Sequence, residues 1–224
     1  MLNTSTTARR YAIAASLTIL ATATVVTERV AARETAPTPT ASSIEPSNRW
    51  LEGLKAKHRQ FFDAPAPAGG IPLVHVMNYY DTYNKAFGVK DADIDAVLSF
   101  YGATTFYGLN DAAWSKYALG EFLDTKDGSG KPAVANPWRA QPEILGMKLA
   151  PASIEALQKR GATMILCNNA LSIFSGMLAQ KRGLDAKVVY EDLKANILPG
   201  VELVPGMVVA VEQATRAGLS YHRQ

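Results

Sequence analysis

Short runs of apolar residues recur along the chain and predict buried strands. The runs cover residues 73–77, 94–101, 164–167 and 201–204, and they contain few polar positions. Their apolar character is continuous rather than alternating, which is typical of strands that are covered on both faces. The pattern therefore predicts a parallel sheet.

Segments in which apolar residues recur at helical spacing surround these runs. The spacing predicts helices over 50–62, 110–117, 151–161, 170–181 and 208–218, whereas 186–196 fits either a strand or a helix. Segment 50–62 carries basic residues between its apolar positions, so we expect an amphipathic helix that docks on the domain. The alternation of strands and helices predicts a doubly wound α/β domain, with helices on both faces of a mainly parallel sheet.

One long segment, residues 118–148, interrupts this alternation. It contains seven glycines and prolines and is too long for an ordinary connection in a compact domain. It also contains Trp138 and Arg139, an apolar and a cationic side chain that could close over a cleft. The alternative is a surface excursion that is packed by its own tryptophan.

Composition and charge exclude several classes of protein. The chain has 224 residues, 48% hydrophobic and 19% charged, which is globular composition rather than that of a collagen-like, coiled-coil or disordered chain. A single cysteine excludes an intramolecular disulfide framework and a cysteine-clustered zinc site. Residues 1–32 contribute +2 of the net charge of +3, through three arginines and one glutamate, so no nucleic-acid surface is indicated.

The first 32 residues have the layout of an export signal. Polar residues ending in Arg9 and Arg10 precede an uncharged apolar stretch at 11–26, and small residues at 30–32 follow. The arginine pair resembles a twin-arginine (Tat) signal, although Ala8 separates it from Thr7, where the Ser/Thr of that motif would directly precede the pair. We therefore expect a periplasmic protein. The alternative is that the signal stays uncleaved and anchors the protein in the inner membrane, and this segment would then be the only membrane contact.

Residues 33–49 consist largely of Pro, Thr and Ser with few large apolar side chains. Such a segment cannot bury enough apolar surface to offset the entropy of ordering it. The sequence therefore predicts an export signal over 1–32, a flexible linker over 33–49 and one folded domain over 50–224.

Cys167 is the strongest candidate for chemistry. It ends the predicted strand at 164–167 and precedes a predicted helix. Ligands of open parallel sheets bind outside the carboxyl ends of the strands, and the positive end of a helix stabilises a thiolate there. The alternative is that Cys167 is a small buried hydrophobic residue.

Polar residues after other strands are candidates for the wall of a ligand pocket. Asn78 would follow the strand at 73–77, and Tyr101 with Gly102 would follow the strand at 94–101. Asn168 and Asn169 come directly after Cys167, so all five residues are expected at one edge of the sheet. The sequence shows no paired carboxylates, Ser-His-Asp set or metal-ligand spacing, and we predict no metal site and no cofactor.

The segments around Cys167 resemble the DsrE/DsrF-like family. The resemblance rests on IEALQKRGA at 154–162, ILCNNAL at 165–171, LPGV at 198–201 and VPG at 204–206, with a final aromatic-containing strand matched by 217–221. It extends over roughly residues 71–222. It implies a flavodoxin-like sheet of about five strands, frequent homo-oligomers, and a strand-end cysteine, here Cys167, that carries a persulfide between sulfur-donor and sulfur-acceptor proteins. Many relatives have His-Gly where this chain has Tyr101-Gly102.

Three functions remain open from the sequence. The first is an exported sulfur-handling protein that uses Cys167 as a nucleophile or persulfide carrier. The second is a non-catalytic module that binds a small ligand with Asn78, Tyr101, Asn168 and Asn169. The third is an oligomeric interaction protein in which Cys167 is only buried.

Overall fold

The structure, a computed structural model, describes residues 48–224. The helices are α1 (Arg49–Glu52), α2 (Ile71–Phe87), α3 (Asp111–Lys116), α4 (Leu119–Phe122), α5 (Ile154–Lys159), α6 (Asn168–Arg182), α7 (Ala186–Ala195) and α8 (Met207–Arg216). The strands are β1 (His58–Asp63), β2 (Ile94–Phe100), β3 (Glu143–Ile144), β4 (Met147–Lys148), β5 (Thr163–Cys167), β6 (Val201–Val204) and β7 (Ser220–Arg223). The predicted export signal and nearly all of the predicted linker lie outside the described residues. Within 48–224, no helix has the length and apolar character needed to cross a bilayer.

Five of these strands form one parallel sheet in the order β6-β5-β2-β1-β7. The chain adds strands in one direction from β1 to β6 and then returns to place β7 on the other side of β1. The helices lie on both faces, and the predicted flavodoxin-like α/β fold is confirmed. The direction of winding reverses between β1 and β7, which is where ligands of doubly wound sheets commonly bind.

The two faces of the sheet have separate hydrophobic cores. On the first face, Phe62, Leu98 and Leu166 pack under α2, α5, α6 and α7. On the second face, the alternate strand residues Phe61 and Val97 pack under α1 and α8. Successive strand residues therefore enter opposite cores, which explains why the strands contain continuous apolar runs.

The predicted helix over 50–62 is wrong except for its first turn. Helix α1 ends at Glu52, and the second half of the segment is β1, an interior strand between β2 and β7. Adjacent Phe61 and Phe62 enter the two opposite cores, as neighbouring residues of a doubly covered strand do. Arg59 donates to the backbone carbonyl of Ala217 at an exposed position. Its charge is therefore not buried, and the residue is compatible with an interior strand.

The predicted strand over 73–77 is also wrong, because these residues lie inside α2. Left-handed Gly70 precedes the helix, Pro72 lies in its first turn, and left-handed Gly88 ends it. The buried residues Leu73, Val76 and Tyr80 recur at helical spacing and face the first core.

The other strands and helices follow the sequence more closely. The strands predicted over 94–101, 164–167 and 201–204 are confirmed, and the ambiguous segment 186–196 is helix α7, capped by Asp185. The helix predicted over 208–218 is α8, but its buried face consists of Met207, Ala210 and Ala214. Val208, the first residue of the predicted helix, lies at the surface.

Segment 118–148 packs against the domain through its own tryptophan. Trp138 is buried, with its ring centroid 4.3 Å from that of Tyr107. Arg139 forms ion pairs with Asp111 and Glu155. Of the two alternatives for this segment, the packed excursion describes the structure.

Candidate functional site

Cys167 lies where a strand ends and two helices begin. It is the last residue of β5 and the N-cap residue of α6. Its Sγ accepts the backbone N–H of Ala170, at 3.4 Å, and the backbone N–H of Met207, the first residue of α8, at 3.3 Å. The side chain is 5% exposed. Two helices that are distant in the sequence therefore donate to one sulfur atom.

These two contacts bring the starts of two helices to the sulfur. The first N–H groups of a helix lack partners within the helix, and they form its positive end. Helices α6 and α8, of 15 and 10 residues, both direct such a group at Sγ. A thiolate accepts these hydrogen bonds more strongly than a neutral thiol does, because the acceptor is then charged.

A buried carboxylate lies on the same face of the sheet. Asp63, the last residue of β1, is 3% exposed. Its Oδ2 accepts the hydroxyl of Tyr221 at 2.6 Å and that of Tyr101 at 3.1 Å, and its Oδ1 accepts the hydroxyl of Ser99 at 3.3 Å. The ion pairs within residues 48–224 do not include Asp63. The side-chain hydrogen bonds to Asp63 therefore come from hydroxyl groups, which offset part of its desolvation.

Both tyrosines remain hydrogen-bond donors at neutral pH. Burial, together with the hydrogen bond to Asp63, raises the pKa of Tyr101 well above its usual range. The hydrogen bond to Asp63, followed by burial, raises the pKa of Tyr221. A phenol that donates to a carboxylate cannot ionise without placing two negative charges together.

A cavity of about 260 Å³ lies beside this cluster. Its lining combines the polar residues Asp63, Tyr101, Tyr221 and Arg223 with the apolar residues Met207, Val208 and Val211. Met207 contributes a side chain to the cavity and its backbone N–H to Cys167. Met207, the first residue of α8, therefore contacts both the cavity and the Cys167 sulfur.

The strand register places Tyr101 and Cys167 at the same level. Leu166 of β5 pairs with Phe100 of β2, so the two following residues leave adjacent strands together. Tyr101 packs against the hydrophobic core that contains Cys167. The structure therefore brings these two predicted site residues to one edge of the sheet.

The other predicted site residues have different surroundings. The Asn168 side chain accepts the hydroxyl of Tyr190 at 2.6 Å, and the Asn169 backbone donates to Pro205. Gly102 has a φ of +57°, and a Cβ there would lie 2.9 Å from the carbonyl oxygen of Pro65, so this position accommodates a close approach of two backbones. Asn78 lies on α2, over the first face, because the segment before it is helical rather than a strand.

Asp63, Tyr221 and Met207 were missed by sequence reasoning. Asp63 directly follows residues 50–62, whose apolar spacing predicts a helix, so the sequence does not place it at the end of a strand. The sequence points to Tyr221 only through the resemblance, in which 217–221 match the aromatic-containing final strand of the family. Met207 contributes through a backbone N–H, which any residue except proline provides.

Within residues 48–224, no three His, Cys, Asp or Glu side chains converge as a metal site would require. Comparison with models of known protein families gave no match, and neither did comparison with curated proteins.

Proposed function

We propose that this protein is a sulfur carrier of the DsrE/DsrF-like type and that Cys167 is its nucleophile. The observation that supports this best is the pair of backbone N–H groups, from Ala170 and Met207, that converge on Sγ. Backbone N–H donors are suitable partners for a sulfur nucleophile, because the thiolate is the form that attacks another sulfur.

The step is an exchange between a thiolate and a persulfide. The Cys167 thiolate attacks the outer sulfur of a donor persulfide, and a new S–S bond forms as the donor's S–S bond breaks. The donor leaves as a thiolate, and the outer sulfur keeps its proton. An acceptor thiolate removes that sulfur by the same step, so the chain carries sulfur without net oxidation or reduction.

In this proposal, the cavity lined by Met207 would receive the donor or acceptor compound, because Met207 also contacts Sγ of Cys167. Its apolar side consists of Met207, Val208 and Val211, which suits a polarisable sulfur atom. Its polar side presents the hydroxyls of Tyr101 and Tyr221, both held by Asp63. These hydroxyls can orient a donor or acceptor thiol compound, whereas a tyrosine of raised pKa is a poor proton shuttle at neutral pH.

The second candidate is a non-catalytic module that binds a small ligand. The same cavity favours it, because Asp63 and Arg223 end β1 and β7, the two strands between which the winding reverses. In this alternative, Cys167 serves only as the N-cap of α6.

Persulfide loading separates the two candidates. Folded protein is incubated anaerobically with glutathione persulfide and examined by non-reducing mass spectrometry. We expect one added sulfur, about 32 Da, on the peptide that contains Cys167, and its removal by a low-molecular-weight thiol. Cys167→Ser should gain no sulfur there, and Leu145→Ala, at an exposed position outside the cavity lining, should load like the wild type.

Two results would overturn the carrier. In one, the urea-unfolded chain gains sulfur at Cys167 while the folded chain does not. In the other, loaded sulfur stays on the folded chain in the presence of excess acceptor thiol. Either result leaves the ligand-binding module as the better account.

Export to the periplasm and self-association complete the proposal. The order of charged, apolar and small residues in 1–32 supports export, with an uncleaved anchor as its alternative. Exposed apolar side chains on α6 and α7, among them Ile173, Met177 and Val188, support a homo-oligomer that buries this flank. Sulfur-donor and sulfur-acceptor proteins would then be its other partners.

A further inference from the structure

A second cavity, of about 410 Å³, lies between α2 and the strands β1 and β7 on the first face of the sheet. It is separated from Cys167 by the sheet, because Cys167 belongs to the core of the second face. Its lining contains aromatic rings, imidazoles and neutral polar groups: Gln60, Phe62, His75, Asn78, Tyr79, Thr82, Tyr83, Phe87 and His222. The volume is within the range of small-molecule sites.

One wall of this cavity is a stripe of rings along α2. His75, Tyr79, Tyr83 and Phe87 recur every four residues, so they share one side of the helix. Tyr79 and Tyr83 have centroids 5.1 Å apart, and Tyr83 and Phe87 have centroids 5.6 Å apart. Phe87 is 70% exposed. A stripe of this kind leaves aromatic surface in contact with water, whereas Leu73, Val76 and Tyr80 on another side of α2 are buried.

The opposite wall consists of rings from the sheet. Phe62 of β1 contacts Tyr79 with centroids 5.5 Å apart and His222 of β7 with centroids 5.8 Å apart. His222 contacts His75 with centroids 5.3 Å apart. The rings thus form a continuous series from Phe87 at one end of the cavity to His75 at the other.

The charge of the lining restricts the ligand. None of the lining residues is Asp, Glu, Lys or Arg, so a phosphate would find no fixed charge of opposite sign among them. The available interactions are ring stacking, edge-to-face contacts and a few neutral hydrogen bonds.

An incompletely paired amide lies next to the cavity. The Gln224 side chain accepts from His75 Nδ1 through its Oε1, which leaves Nε2 of the ring as an acceptor when the imidazole is neutral. The Nε2 of the same Gln224 amide is buried and has no hydrogen-bond partner among residues 48–224. A buried donor without a partner is costly, so this end of the cavity is bounded by an incompletely satisfied hydrogen-bond network.

We propose that this cavity binds a planar aromatic or heteroaromatic small molecule. The ring plane packs against Tyr79, Tyr83 and Phe87, and a polar substituent lies at the end formed by His75 and His222. This site does not depend on the function proposed for Cys167, because the two lie on opposite faces of the sheet.

The three histidines provide a direct measurement of binding. Residues His75 and His222 line the cavity, and His58 packs on Tyr83 with centroids 4.2 Å apart, so every histidine of the chain reports on this site. The imidazole proton signals are followed by NMR during titration with 2-naphthol, and His→Gln variants assign them. We expect saturable shifts of the His75 and His222 signals, while cyclohexanol of matched concentration produces none.

Two variants test the geometry. Phe87→Ala removes an exposed ring and should weaken 2-naphthol binding about fivefold, the effect of one aromatic pair. Asn78→Trp, at an exposed position on the cavity wall, should fill the cavity and abolish binding. Leu145→Ala, at an exposed apolar position in the β3-β4 turn, is the matched control and should change nothing.

Three results would overturn the proposal: no saturable shift with 2-naphthol, equal shifts with cyclohexanol, or the same affinity in Phe87→Ala and Asn78→Trp as in the wild type. Circular dichroism of each variant confirms that its fold is retained before its affinity is interpreted.

Discussion

The backbone N–H of Met207 donates to Sγ of Cys167, a residue 40 positions earlier in the chain. The contact joins the first residue of α8 to the N-cap of α6, so one sulfur atom accepts from the starts of two helices. It also joins the candidate nucleophile to the cavity beside Asp63, because the Met207 side chain lines that cavity.

The two N–H donors predict a specific order of stability for substitutions at position 167. Cys167→Ala leaves both N–H groups without an acceptor and should lower the free energy of unfolding by about 1–2 kcal/mol. Cys167→Ser supplies an oxygen acceptor, and serine is a favoured N-cap, so its cost should be smaller. Equilibrium unfolding in urea measures both variants. A serine variant less stable than the alanine variant would mean that the thiol acts mainly as an apolar filler.

The phenols around Asp63 predict a loss of stability at high pH. In the folded chain the pKa values of Tyr101 and Tyr221 are raised, whereas in the unfolded chain a tyrosine titrates near pH 10, about its reference value. The folded state therefore binds more protons above that pH. The stability that this cluster contributes to the folded state is therefore fully present below about pH 10, and it is lost as the pH rises further.

Tyr221→Phe measures this contribution. It should cost about 1 kcal/mol at neutral pH, because one hydrogen bond to a carboxylate is lost at a partly exposed position. It should also flatten the alkaline decline in urea unfolding experiments. Tyr190→Phe removes a hydroxyl bonded to uncharged Asn168 and is the matched control. If the free energy of unfolding declines with alkaline pH as steeply in Tyr221→Phe as in the wild type, the hydrogen bond to Asp63 does not stabilise the fold in this way.

Export can be tested at the arginine pair. Replacing Arg9 and Arg10 together by lysine keeps the positive charge and removes the guanidinium pair that the twin-arginine route requires. We expect the variant to accumulate in the cytoplasm, as measured by fractionation and immunoblotting. Unchanged export would indicate the general secretory route, in which the pair is only the charged start of the signal.

Self-association can be tested on the flank formed by α6 and α7. Light scattering of the wild type at micromolar concentration should give a multiple of the monomer mass. Ile173→Lys places a charge among the exposed apolar residues of α6 and should shift the protein toward monomer. Leu145→Lys, at another exposed apolar position, should not. A wild-type monomer that is unchanged by either variant would exclude the oligomer.

The position of Cys167 could be predicted because its local signals agree. Four consecutive apolar residues predict a buried strand, and the following segment has helical spacing, so the cysteine is expected where β5 meets α6. The general α/β arrangement was predictable for the same reason, since most of its strands are continuous apolar runs.

Segments 58–63 and 73–77 were misassigned because periodicity cannot decide short segments. Residues 73–77 are apolar except for His75, and so short a run fits either a buried strand or one side of a buried helix. Gly70, Pro72 and Gly88 mark the ends of α2 and would have favoured the helix. In β1, basic residues precede Phe61 and Phe62, a sequence that also fits an amphipathic helix.

The cluster around Asp63 depends on contacts that local sequence cannot reveal. Tyr221 donates to Asp63 across 158 positions, and Tyr101 donates to it across 38. Only the strand order, which places β7 beside β1, brings these residues together. The order follows from packing of the whole sheet rather than from any one segment.

The most direct test of the central claim, that folding makes the Cys167 sulfur a nucleophile, is the rate of its alkylation by iodoacetamide as a function of pH. Folded and urea-unfolded chains are compared by quantitative mass spectrometry of the Cys167 peptide. Two helix N-termini contact the sulfur only in the folded state, so the account predicts that the folded chain reacts faster at neutral pH. A folded chain that stays unreactive through the neutral and mildly alkaline range, while the unfolded chain reacts readily, would contradict the account.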